Sequence, residues 1–172
     1  MASSNSVNGR PPNLPVRTLQ AWAARLSASP GEFGSWYVAQ AINVLAGGST
    51  DMRTLSPGVR WELLDGRYWT VDLLTLERIV RRDWTSRYRW LKSRRDCDDF
   101  SFYFKARLSE WFGITGVGIV MDRDTHHTYN LVVLDRRDSE QPLGAVLLEP
   151  QSGKVVAKGD ELYRFENAEV LI

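Results

Sequence analysis

Residues 96–112 read DCDDFSFYFKARLSEWF, and the fold turns on this stretch. It holds the only cysteine of the chain, Cys97, set among Asp96, Asp98 and Asp99. Phe100, Phe104, Ala106, Leu108 and Trp111 recur roughly as one apolar stripe, and Gly113 follows, which predicts a helix ending there. Asp96 suits the N-cap, and Asp98 and Asp99 fall in the first turn, where the helix dipole favours negative charge.

Working outward, GVGIVMD, HTYNLVVLD and LGAVLLEP read as three β-strands separated by turn residues. Upstream, helical spacing appears around Leu19–Leu26, over Trp36–Leu45 up to Gly47-Gly48, and at Leu73, Leu76, Ile79 and Val80. Asp65-Gly66 sits between two aromatic-rich runs and signals a hairpin. Helices, a central helix and then strands define an α+β class, with the central helix packed on an antiparallel β-sheet. The Ser, Asn, Gly and Pro-rich residues 1–15 are expected to form a disordered tail. Residues 16–172 then make one domain, with a helical N-terminal part over 16–60 and a core over 61–172.

The chain has 172 residues, 43% hydrophobic and 25% charged, with seven tryptophans and a net charge of +1. That is the composition of an ordinary globular protein, without a global field for nucleic acid or anionic membrane. No run approaches the ~18 apolar residues of a spanning helix. The opening MASSNSVNGRPPNLP lacks the plan of a secretory leader, and one cysteine excludes an intramolecular disulfide, so a reducing, cytoplasmic setting is expected.

A thiol at a helix N-terminus becomes nucleophilic when its thiolate is stabilised by the dipole or by a neighbouring imidazolium. The flanking carboxylates oppose this, so a base in close contact has to overcome them. The alternative is a structural thiol beside an aromatic-rich helix. The only histidines, His126 and His127, are adjacent at a strand entrance, where only one can face a given site. Pairing the strands 127–135 and 141–149 across the five-residue loop 136–140 sets Leu134 opposite Pro142 and His127 opposite Glu149. Asn130, at odd separation from His127, is expected to face away. Cys97 on a helix, His127 on a strand and Glu149 on the next strand follow the papain-like and transglutaminase-like plan, with Glu149 orienting the imidazole.

The blocks DCDDFSFYFKARL, HTYNLVVLD and LEPQSG together resemble the cysteine-peptidase-like domain at the C-terminal end of a fungal ring-mushroom agglutinin, and small phage and bacterial proteins with the same set. The resemblance runs best over residues 61–155. It implies a papain-like core, with Cys97 as nucleophile, His127 as general base and Glu149 as orienting acid. Ser101 and Thr128 depart from the alanines of the family pattern. Gln151 of LEPQSG joins the substrate-binding residues on the same ground. The resemblance further implies a proteinase activated by calcium or a related ion, for which Asp96 and Asp98, with Asp99, supply hard oxygen donors. Helix capping accounts for the same aspartates without a metal.

The segment 78–95, RIVRRDWTSRYRWLKSRR, holds eight basic residues, one acid and three aromatics. Such interleaving suits a nucleic-acid or protein-partner binding module on the same scaffold. It also suits a helix with a solvated basic face. Beside an active site, Tyr88 and Trp90 would line a substrate groove. The sequence thus predicts a thiol-dependent hydrolase of peptide or amide bonds using Cys97, His127 and Glu149. A protein or peptide is the expected substrate, and the backbone N–H groups at the helix N-terminus are the expected oxyanion donors.

Overall fold

The computed structural model describes residues 31–50, 52, 55–136 and 144–172. The expected tail and the helix around Leu19–Leu26 lie outside the described residues, as does most of the 136–140 loop. The strand β1 (Gly31–Gly34) leads into helix α1 (Ser35–Ala46), followed by β2 (Val59–Glu62) and β3 (Arg67–Thr70). Helix α2 (Leu73–Val80) and a 3₁₀ turn (Thr85–Arg87) precede the long helix α3 (Cys97–Phe112). Then come β4 (Val117–Asp122), β5 (His127–Val133), β6 (Ala145–Glu149), β7 (Lys154–Val156) and β8 (Ala168–Leu171).

Six strands form one sheet in the order β2-β8-β4-β5-β6-β7. Every pairing in it is antiparallel except β2 with β8, so the sheet is mixed where a purely antiparallel one was expected. Strand alternation gives the sheet two apolar faces. Val120, Tyr129, Leu131, Val133 and Leu147 pack with Val38, Ala41 and Ile42 of α1. Val117, Val132 and Leu148 pack with Leu76 and Ile79 of α2 and with Phe104 and Leu108 of α3. Helices therefore cover both faces, and the α+β, papain-like architecture holds.

Local signals account for the helix limits. Asp72 caps α2 by accepting from the Thr75 N–H at 2.8 Å, and Gly113 ends α3 with a left-handed φ of 66°. The Asp65-Gly66 hairpin does not form. β3 pairs with β1 and β2 pairs with β8, while the Asp65 N–H donates to the Tyr68 hydroxyl at 2.9 Å. Long-range partners at both edges outcompete the local turn. The buried stripe of α3 is Phe100, Ser101, Phe104, Arg107 and Leu108, whereas Ala106 is exposed.

Gly58 marks the closest backbone approach. A Cβ there would run into the Glu166 carbonyl oxygen, beside the β2–β8 pairing. Gly66 has open space at the same position. Gly58→Ala is expected to cost about 1–3 kcal/mol in urea unfolding, and Gly66→Ala less than about 0.5 kcal/mol. Equal effects would mean that the β2 approach does not constrain the fold.

Candidate functional site

The N-terminus of α3 is built by its own aspartates. Asp96 and Asp99 form a capping box, in which the Asp96 N–H donates to Asp99 Oδ2 at 3.3 Å. Asp96 Oδ2 also accepts from the Ser93 N–H at 3.1 Å. One oxygen from each of Asp96, Asp98 and Asp99 lies within 4.8 Å of the others. A hydrogen bond with Asp98 holds the Asp96 carboxyl above the ordinary range and Asp98 below it. Capping thus occupies two of the three carboxylates proposed from sequence as metal ligands.

Cys97 is half-buried in the first turn, and its carbonyl accepts from the Ser101 hydroxyl at 2.9 Å. α3 is fastened to the sheet by Asn130, whose Nδ2 donates to the Ser101 carbonyl and to the Gly118 carbonyl, each at 3.1 Å. Asn130 faces α3, so alternation turns His127 toward the other face, with Tyr129 and Leu131. Ring contacts agree, with His127 centroids 5.8 Å from Tyr129 and 5.6 Å from Tyr163.

His127 and Glu149 meet as expected, with Nε2 and Oε2 2.7 Å apart. The register differs by two residues from expectation. Asn130 pairs with Leu148, which sets Glu149 beside Tyr129 and diagonal to His127. A two-residue shift preserves the face, so the contact survives. Glu149 also accepts from the Tyr163 hydroxyl at 3.0 Å and from the Gln151 N–H at 2.9 Å. Burial, then the Glu149 charge, pushes the Tyr163 phenol up to about 12. No hydrogen bond joins His127 to Cys97 among the described residues.

Next to this pair lies a second buried carboxylate that sequence reading passed over. Asp122 accepts from the Tyr129 hydroxyl and the Phe165 N–H, both at 3.0 Å, and from Asp124 N–H at 3.1 Å. Burial alone would raise its pKa, but these donors hold it below the ordinary carboxylate value. Burial and Asp122 together raise the Tyr129 phenol. In sequence Asp122 was only the last residue of the GVGIVMD strand, and Tyr163 carried no signal.

Of the remaining expected residues, Tyr88 sits among α3 side chains, 5.8 Å from the Tyr103 ring. Arg95 lies over the Tyr88 ring at 5.1 Å. Trp90 is half exposed to solvent, and the Gln151 side chain is half-buried. The turn carrying Gln151 packs against the end of α2 and the 3₁₀ turn, since a Cβ on Gly153 would meet Val80 at 3.1 Å and Ser86 at 3.9 Å. The polar end of the sheet and the basic-aromatic segment are therefore neighbours.

Two apolar sheet faces, a capped helix fastened across β5 and a polar strand end define a papain-like α+β domain. Its fold is related to that of the lectin of the fungus Polyporus squamosus. A structure of that lectin, described as bound to a human-type influenza-binding epitope, Neu5Acα2-6Galβ1-4GlcNAc, matches with a TM-score of 0.58 and 20% identity. The match covers 82% of this chain and 49% of the lectin. A structure described as PSL1a in complex with E-64 matches with a TM-score of 0.61 and 18% identity, over 82% of this chain and 51% of that one. The chain thus spans about half the length of the structures it matches. No protein-family model matches the sequence, and neither does any curated protein.

These findings correct the functional reading of the sequence. The sequence predicted a hydrolase with a Cys97–His127–Glu149 triad and a peptide substrate from chain order, strand register and a resemblance, and none of these by itself fixes an activity. The Polyporus squamosus structure is described as a lectin with a bound glycan, not as a peptidase.

The Asp122 geometry sets a pH dependence. A carboxylate held below its unfolded pKa contributes stability that is fully present above the unfolded value and is lost as pH falls through the folded value. Asp122→Asn should cost about 2–4 kcal/mol at neutral pH, because an amide faces donors where an acceptor was. The difference from wild type should shrink below about pH 3.5, as the wild-type carboxyl protonates. Urea midpoints from pH 2 to 7 check this, and a pH-independent difference would contradict it.

Proposed function

We propose that this domain binds carbohydrate and that the face between the β6–β7 turn and the segment around Tyr88 is where it does so. The observation that carries this reading is the likeness, over most of the chain, to a lectin described with a bound sialylated trisaccharide. Because this chain spans about half of that lectin, the test belongs on this chain alone.

The chemistry at this face suits the reading. Sugar recognition needs flat apolar surface for the C–H faces of a pyranose and a few fixed polar groups for its hydroxyls. Trp90, exposed, and Tyr88, half-buried, supply the first. Gln151, half-buried on the β6–β7 turn that packs against this segment, supplies the second. Cys97, half-buried at the start of α3, serves the helix terminus in this reading.

Titration of the full chain with Neu5Acα2-6Galβ1-4GlcNAc, alongside a broad glycan array, tests the proposal. Saturable binding is expected, weakened roughly tenfold by Trp90→Ala, a loss of about 1.4 kcal/mol. A correctly folded chain that retains no glycan on the array would overturn it.

A further inference from the structure

Between α2 and α3 the chain alternates cationic and aromatic side chains along the surface. Arg87 lies over Trp84 at 4.7 Å, and Arg95 over Tyr88 at 5.1 Å. Trp90 is exposed, as are Arg87, Arg89, Lys92 and Arg94. A guanidinium stacked on a ring keeps its N–H groups at its edge, in the planar fork that pairs with a carboxylate or a sulfate.

The segment is anchored from beneath. Asp83, the one acid of the run, accepts from the Thr85 N–H at 2.8 Å. It also pairs with Arg107 of α3 at 3.2 Å, with side chains 4% and 10% exposed. Arg107 in turn lies over the Trp111 ring at 4.1 Å. Leu91 and Arg95 close the distal loop through reciprocal backbone hydrogen bonds of 2.9 and 2.8 Å. A surface held in this way loses little conformational entropy on binding.

We propose that Trp84–Arg95 is the docking face for an anionic polysaccharide. Its sugar rings lie on the exposed Trp90, and its sulfate or carboxylate groups pair with Arg87, Arg89 and Arg95. The proposal rests on the carbohydrate reading above and names the ligand class. An acidic polysaccharide alternates charged groups with uncharged ring faces, as this surface alternates cations with aromatics. Asp96, Asp98 and Asp99 bound this face beyond Arg95 for any polyanion.

The test uses the full chain and five probes: heparin, polygalacturonate, neutral dextran, the sialylated trisaccharide, and a single-stranded oligonucleotide at the same salt. The proposal expects binding of heparin, polygalacturonate or both, with sulfate and carboxylate recognition told apart by which is held. Arg87→Ala with Arg95→Ala should weaken it roughly tenfold and lower the slope of log K against log salt by about two. Trp90→Ala should weaken it at unchanged salt slope, and unaltered thermal midpoints establish that these substitutions leave the fold intact. Trisaccharide binding without binding of either polyanion would sink this proposal and leave the carbohydrate reading standing. Loss of every glycan would sink both. An oligonucleotide held as tightly as heparin, or polyanion binding indifferent to the arginine variant, would also overturn it.

Discussion

One buried side chain, Asn130, sets the relation between the long helix and the sheet. Its amide nitrogen donates to α3 at Ser101 and to β4 at Gly118, so the helix is fastened to two adjacent strands through a single group. An unpaired amide in this fully buried place would cost several hydrogen bonds' worth of solvation, and alternative positions of α3 are disfavoured accordingly. Because side chains alternate along β5, the residue that faces α3 also determines which residues do not. His127 and Tyr129 are committed to the opposite face.

That opposite face ends in two buried carboxylates, Asp122 and Glu149, each surrounded by donors. Tyr129 and Tyr163 contact one another edge-on at 5.2 Å and tie the two acids into one network. The network uses donors from β5, the β6–β7 turn and the stretch before β8, so distant parts of the chain converge on it. Buried charge is tolerated here because every acid has partners on several sides. The other face follows a different rule. There a buried arginine, Arg107, holds the surface segment through Asp83 and through stacking on Trp111.

Much of this was legible in the residues. The helix from Cys97 to Gly113, its Asp96 cap, the strands around Val120, Tyr129 and Leu147 and the pairing of His127 with Glu149 all follow from period, capping chemistry and parity. The errors have physical causes as well. Asp65-Gly66 is a good local turn, but Tyr68 and the β1 and β8 backbones offered better partners. The register of β6 shifted by two residues, which parity conceals. Asp83 was hidden among the charges of the basic run and Arg107 within α3, since no local pattern marks an arginine whose partner lies 24 positions away. The hydrolase chemistry failed for a different reason: motif order in a chain describes a scaffold, and scaffolds of one kind hold different sites.

The sequence by itself determined the periodic elements, the caps and the parity of each strand, because these depend on neighbours within a few residues. Only the tertiary structure decided which face of the sheet each helix covers, which strands become partners and which charges are buried together. Those outcomes depend on contacts between residues far apart in the chain. His127 shows the division most clearly. Its identity, its strand and its acid partner could be read from the chain, while the sheet face it takes was decided when Asn130 joined the helix to the other side.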